Sequence, residues 1–249
     1  MAPNISVRDS VRWLPDAAEE PTSTIVLTSG ENRFVDIRIL KKSDHADLGH
    51  DPVLPFKRLD WAFAGVSSSR ELHDKDGNAY AHSAWQHWVS DRTKDADSVK
   101  DEGDMYPMSD GRTLEKGSMT NPATGVKTEY EEMWRDVKVA KVTQPSEDVG
   151  KEGVRKCVVL VLHEDEREAR GMVVRVGQFV QGVLRVGDHF SLERWEWHSA
   201  WQNGGWKRSV RMGDLWLPCS AAMEDGKVRL GGEVKYGEFV WKVVELQDF

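Results

Sequence analysis

Apolar positions along the chain recur with a period of two rather than 3.6. Short β-branched or aromatic runs alternate with polar positions at residues 23–27, 34–40, 59–64, 84–91, 130–142, 157–163, 172–176, 179–186, 189–197, 227–234 and 238–246, the pattern of half-buried strands. Between them stand Ser29-Gly30, Asp76-Gly77-Asn78, Asp110-Gly111, Asn121-Pro122-Ala123-Thr124-Gly125 and Asp225-Gly226. Gly and Asn there supply the positive φ that hairpin turns need. Only residues 8–13 and 44–50 read as short helical turns. The expectation is an all-β chain with little helix.

Residues 143–155 carry no apolar periodicity and include Pro145, Gly150 and Gly153, which marks a linker. It divides the chain into residues 1–148 and 149–249. The two parts end alike, with Tyr130, Glu132 and Trp134 aligning with Tyr236, Glu238 and Trp241 once one residue is inserted. The match reads either as convergent strand composition or as a true duplication, and a duplication predicts two antiparallel barrels packed side by side. The mouths of such barrels are habitual small-ligand sites.

Charge narrows the partners. With 34 Lys and Arg against 42 Asp and Glu the net charge is −8, the reverse of the basic footprint of a phosphate-backbone binder, so nucleic acid is set aside. No apolar run approaches membrane-spanning length, and the first residues lack a basic-then-apolar leader. The reading is therefore no membrane and a cytoplasmic location, with the nucleus left open. Cys157 and Cys219 are too few for a disulfide scaffold and read as buried hydrophobes. His45 and His50, like His82 and His87, are five apart, on opposite faces of any strand, so no metal is expected. No phosphate-cradling glycine loop, nucleophile elbow or His-Glu-x-x-His occurs, and no cofactor is expected.

The candidate chemistry lies in the alternation. Trp85, His87, Val89 and Asp91 share one face of their run. If that face lines a barrel, an imidazole oriented by Asp91 is suited to general acid–base work; the alternative is a structural hydrogen bond at the rim. Phe34, Asp36 and Arg38 alternate with Val35, Ile37 and Ile39. With the apolar triplet facing the core, Asp36 and Arg38 form a solvated surface; with a polar-lined interior they point inward beside Trp61. Arg175 with Glu193, and Arg194 with Glu196, pose the same choice across adjacent strands. The chain holds 11 tryptophans against 7 Phe and 4 Tyr, with Trp195, Trp197, Trp201, Trp206 and Trp216 clustered in the second part. Trp61, Trp85 and Trp195 are the preferred pocket indoles, and Phe63, Arg175 and Trp241 complete the candidate substrate contacts.

Several stretches resemble a known family: Ser10-Val-Arg-Trp, Glu20-Pro-Thr-Ser-Thr-Ile-Val-Leu-Thr, Phe34-Val-Asp-Ile-Arg, Leu59-Asp-Trp-Ala-Phe-Ala-Gly, Asp101-Glu-Gly, Glu115-Lys-Gly-Ser-Met-Thr-Asn-Pro-Ala-Thr-Gly, Tyr130-Glu-Glu-Met-Trp-Arg-Asp and Gly177-Gln-Phe-Val-Gln-Gly. They are similar to the fungal two-barrel, lipocalin-like family whose founding yeast member is named for interacting with a casein kinase 1 homologue. The resemblance implies two lipocalin-like barrels in an intracellular fungal protein, and it transfers no catalytic motif. Small cofactor-free cyclases of fungal natural-product pathways, hetero-Diels–Alder catalysts among them, look like relatives of the same family.

Two functions follow. The first is a cofactor-free cyclase that holds an apolar, conjugated substrate in a barrel. Positioning alone supplies roughly 7–11 kcal/mol of such catalysis, and His87, Asp91, Arg38 or Glu193 would assist a dehydration or polarise a carbonyl. The alternative is a non-enzymatic cytoplasmic interaction protein that docks a protein kinase through exposed indoles. Self-association into a homodimer is open under both. The cyclase requires a connected cavity of roughly 300–1,000 Å³, whereas the interaction protein requires barrels plugged by side chains.

Overall fold

A computed structural model describes residues 2–41, 53–142, 153–199, 204–224 and 226–249. The first half contains β1 (Asn4–Trp13), β2 (Thr22–Thr28), β3 (Arg33–Leu40), β4 (Leu59–His73), β5 (Ala79–Ser90), β6 (Lys100–Pro107), β7 (Thr113–Thr120) and β8 (Lys127–Asp136). Each pairs antiparallel with the next and β8 returns to β1, so the eight strands close a barrel. The second half contains β9 (Lys156–Glu164), β10 (Ala169–Val176), β11 (Phe179–Val186), β12 (His189–His198), β13 (Gly205–Met212), the helix α1 (Cys219–Met223), β14 (Glu233–Tyr236) and β15 (Phe239–Asp248). These strands form a seven-stranded sheet in the order β13-β12-β11-β10-β9-β15-β14. Its edge strands feed one core, Trp206 from β13 and Val234 and Tyr236 from β14. The all-β expectation of two packed barrel-like units holds, one closed by hydrogen bonds and the other curled over its own core.

The first barrel turns its apolar side outward. Val35, Ile37 and Ile39 of β3 pack with Ile5, Leu27, Ala62 and Ala64 against Val159, Val174, Val183 and Leu192 of the second sheet, all of them buried. Strand residues alternate between faces. Phe34, Asp36 and Arg38 must therefore point into the barrel, where they line a cavity. The apolar triplet does face a core, but that core lies outside the barrel, and the solvated-surface reading of Asp36 and Arg38 is corrected.

Two side chains of the second sheet stitch this contact. Gln181 Nε2 donates to the carbonyls of Ile25 (2.9 Å) and Val35 (3.0 Å), while its Oε1 accepts from Arg194 Nε at 2.7 Å. Arg194 also donates to the Ile37 carbonyl at 2.7 Å and to Ser23 Oγ at 3.1 Å. It makes no ion pair with Glu196, and burial pushes its guanidinium down to about 10. At another contact Glu245 accepts from Ser29 Oγ (2.6 Å), the Glu31 N–H (3.0 Å) and Arg33 Nη1 (2.7 Å).

The other face of the second sheet is filled. Leu160, Val173, Val180 and Leu184 pack with Leu217, Cys219 and Met223 around Trp241. The indole of Trp241 lies so close to Gly171 that a Cβ there would sit 2.4 Å from it.

Several sequence expectations are corrected. Residues 8–13 belong to β1 rather than to a helical turn, because a bulge between Arg8 and Ser10 breaks the two-residue period. Strands β6 and β7 escape the apolar pattern, since they carry charges and an internal glycine each. Strand β13 and helix α1 were likewise without a signal. Most of residues 227–234 precede β14 as turns and irregular chain. The aligned Tyr-Glu-Trp segments are not equivalent: residues 130–134 form one strand, whereas 236–241 cross the β14–β15 hairpin, so they do not mark a structural repeat. The expected turn at 44–50, with His45 and His50, and the division at 148/149 lie outside the described residues. Among the described residues no helix is long and apolar enough to cross a membrane.

Ile37→Ala tests the outward core. Deletion from a packed interior is expected to cost about 3 kcal/mol in urea unfolding, against a few tenths for an exposed position.

A candidate ligand cavity in the first barrel

The interior of the first barrel holds a cavity of about 530 Å³. Its aromatic wall is Phe34, Trp61, Phe63 and Trp85, and its far rim carries Ser67, Ser68 and Ser69. Phe34 meets Phe63 edge-on with centroids 5.7 Å apart, and Trp61 lies against Phe63 at 4.3 Å. Two glycines make the space for the opposite wall: a Cβ on Gly117 would lie 2.4 Å from the Tyr130 ring, and one on Gly103 would lie 2.9 Å from Glu115.

The floor is a charged layer. Arg38 donates to Asp36 Oδ2 from Nε (3.0 Å) and Nη2 (2.8 Å), and to Glu132 Oε1 at 3.3 Å. Arg8 donates to the same Glu132 oxygen and to Glu20 Oε2, the latter at 2.8 Å. Glu115 accepts from Tyr130 Oη (2.8 Å) and Trp134 Nε1 (2.9 Å). Burial, reinforced by the Glu132 charge, pushes its carboxyl up to about 8. Burial also raises Asp36 above the ordinary carboxylate value despite Arg38. Among the described residues, four buried polar atoms of cavity-lining side chains have no hydrogen-bond partner: Asn4 Oδ1, Asn32 Oδ1, Asp36 Oδ1 and Trp61 Nε1. Native interiors rarely leave such atoms empty.

Arg38, Trp61, Phe63 and Trp85 come together here as cavity-lining groups. His87 lies behind Phe63, stacked on it at 4.2 Å, with Nε2 2.9 Å from Asp101 Oδ2. Its expected partner Asp91 is elsewhere, and the cause is a bulge. Gly65 pairs with His87 but Ala64 pairs with Val89, so Trp88 is an extra residue that reverses the alternation beyond it. Val89 accordingly joins the outward core, and Asp91 accepts the Ala62 N–H at 2.8 Å.

The remaining candidates belong to the second sheet. Arg175 and Glu193 do not pair, because β11 separates their strands. Arg175 donates to the carbonyls of Ala222 (3.0 Å) and Met223 (3.1 Å). Glu193 accepts from Trp195 Nε1 at 2.7 Å and stands 3.5 Å from Arg208, and burial raises its carboxyl. Trp241 is core, and Trp201 lies outside the described residues. Among the described residues no three His, Cys, Asp or Glu side chains converge as a metal site. Single-sequence reasoning missed Glu115, Tyr130, Glu132 and Trp134 as one wall. The signal was present, since Tyr130, Glu132 and Trp134 share one parity.

A closed barrel with an interior hole, buttressed by a second sheet, defines the class: a two-unit, lipocalin-like β-barrel protein. The chain belongs to the HRI1 family, whose model, described as Protein HRI1, matches residues 4–245. It is similar to the crystal structure of the uncharacterized protein YLR301w from Saccharomyces cerevisiae, at 17% identity and a TM-score of 0.72, over 99% of this chain and 100% of that one. That likeness shows the fold. No curated protein sequence matches.

Glu115 links stability to pH. Its folded value of about 8 exceeds the ordinary 4.5, so the native state holds this proton more tightly than the unfolded chain. The contribution is fully present below about 4.5, is lost as pH rises, and is gone above about 8. Glu115→Gln is expected to flatten this slope in urea titrations between pH 5 and 9, removing a loss on the order of a few kcal/mol.

Proposed function

We propose that the first barrel binds a flat, conjugated small molecule, and that its reaction is a cofactor-free cyclisation. The observation that carries this is the cavity of about 530 Å³, lined on one side by Phe34, Trp61, Phe63 and Trp85. It falls within the size range of small-molecule sites, roughly 300–1,000 Å³. A barrel serving only as a surface scaffold has no need to keep such a space.

Cycloaddition needs reactants held in near-attack geometry, which a rigid aromatic wall supplies. An accompanying dehydration needs an acid for the leaving hydroxyl. Glu115, which keeps its proton to about pH 8, lines the cavity and fits that role. Arg38 is placed to polarise a carbonyl oxygen. His87 acts through Phe63 and Asp101, as a positioning group behind the wall.

A second reading, docking of a protein kinase, has one observation in its favour. Trp216 is 53% exposed and is flanked by Arg211 at 3.7 Å and Arg208 at 5.3 Å. Exposed indoles of this kind are frequent interface anchors. A cytoplasmic location belongs with this reading.

Calorimetric titration with the neutral probe 2-naphthalenemethanol is expected to show binding that Trp85→Ala weakens roughly tenfold, about 1.4 kcal/mol. Trp216→Ala should leave it unchanged. Equal affinity in wild type and Trp85→Ala would contradict the assignment. For the cyclisation, product yield and selectivity from a diene and dienophile pair should exceed the buffer blank; equality ends that part of the proposal.

A further inference from the structure

The charges around the cavity are one-sided. Of the ionisable carboxyl and guanidinium groups lining it, Asp36, Asp101, Glu132 and Asp136 are carboxylates, Glu115 keeps its proton to about pH 8, and Arg38 is the base. That base is already committed to Asp36 and Glu132. The next guanidinium outward, Arg8, is committed to Glu20 and Glu132. Two cations therefore face three carboxylates in the floor before Asp101 and Asp136 are considered. An anionic ligand would meet repulsion at every depth of this cavity.

Asp36 Oδ1 carries the second observation. Asp36 is 3% exposed, lines the cavity, and spends only Oδ2 on Arg38, leaving Oδ1 without a partner. An unpaired buried carboxylate oxygen calls for a donor or a positive charge. The aromatic wall has the same preference, since ring faces carry negative potential. It already demonstrates this with the protein's own cations: Arg92 lies 4.1 Å over Trp61, and Arg38 lies 5.2 Å over Trp61 and 5.6 Å over Phe63. Both guanidiniums crowd Trp61 and Phe34 is only 1% exposed, so the half-buried Trp85 offers the aromatic surface left for a ligand. The acids are spread over several strands and do not converge as ligands of a metal ion. The complementary guest is large, flat and organic.

We propose that the first-barrel cavity is selective for an organic cation, a flat ring system with a protonated amine or quaternary nitrogen, its ring on Trp85 and its charge on the side of the Asp36 carboxylate. This rests on the reading of the cavity as a ligand site and names the ligand class that site accepts. In a cyclisation the same field would favour positive charge developing on the substrate.

Three naphthalene probes of matched shape test it by calorimetry at pH 7.5: (2-naphthylmethyl)trimethylammonium, 2-naphthalenemethanol and 2-naphthoate. The ammonium is expected to bind at least about tenfold tighter than the alcohol, with the carboxylate weakest. Raising the salt should weaken the ammonium alone. Asp36→Asn is expected to cut the preference to about threefold or less while the alcohol still binds. Should that variant fail to fold, Asp136→Asn serves instead: Asp136 sits exposed at the mouth, held by Ser6 Oγ at 2.9 Å. It should weaken the ammonium roughly threefold and spare the alcohol. Alcohol or carboxylate binding as tightly as the ammonium overturns the cation preference and leaves the ligand site standing. Binding of none of the three overturns both.

Discussion

The structure depends on one constraint: the outer face of β2, β3 and β4 is buried against the second sheet. A strand has two faces and only one can be apolar when residues alternate. Once Val35, Ile37, Ala62 and Ala64 are committed outward, the lumen receives what remains. It receives Asp36, Arg38, Trp61 and Phe63. A barrel standing alone would put its apolar set inside and fill itself. This one borrows its core from a neighbour, and the interior is free to be polar and partly empty.

That freedom has a cost, and the molecule meets it locally. Buried charges are costly unless paired and hydrogen-bonded. Arg8, Arg38, Asp36, Glu20 and Glu132 form such a network, and Glu115 stays protonated to about pH 8. The wall between the two units solves a similar problem with Gln181 and Arg194, whose donors reach the carbonyls of β2 and β3. Satisfying those carbonyls fixes where the second sheet sits on the first barrel. Register at this contact and polarity in the lumen are therefore one arrangement.

Much of the fold was legible because alternation survives wherever one face is buried. Strands β2, β3, β9, β11 and β12 lie close to where the two-residue period put them. It failed where residues break parity, at the Arg8–Ser10 bulge and at Trp88, and where both faces are polar, as in β6 and β7. The candidate site was half legible. Trp61, Phe63, Trp85 and Arg38 were named from sequence, but Asp91 was paired with His87 because a bulge leaves no mark in composition. Glu193, Arg175 and Trp241 were chosen by residue type, and the packing of the second sheet uses all three. Sequence alternation says that two faces differ; which of them is the inside depends on the neighbour.

Cysteine labelling measures that assignment directly. The native Cys157 and Cys219 are fully buried, and burial pushes the Cys157 thiol up to about 12 and the Cys219 thiol well above its ordinary value, so the background is low. Ser83 lines the cavity and Ile37 lies against the second sheet. Ser83→Cys is expected to react with a small methanethiosulfonate reagent in the folded chain while Ile37→Cys stays silent until unfolding. Labelling of Ile37→Cys in the native state, with Ser83→Cys protected, would contradict it.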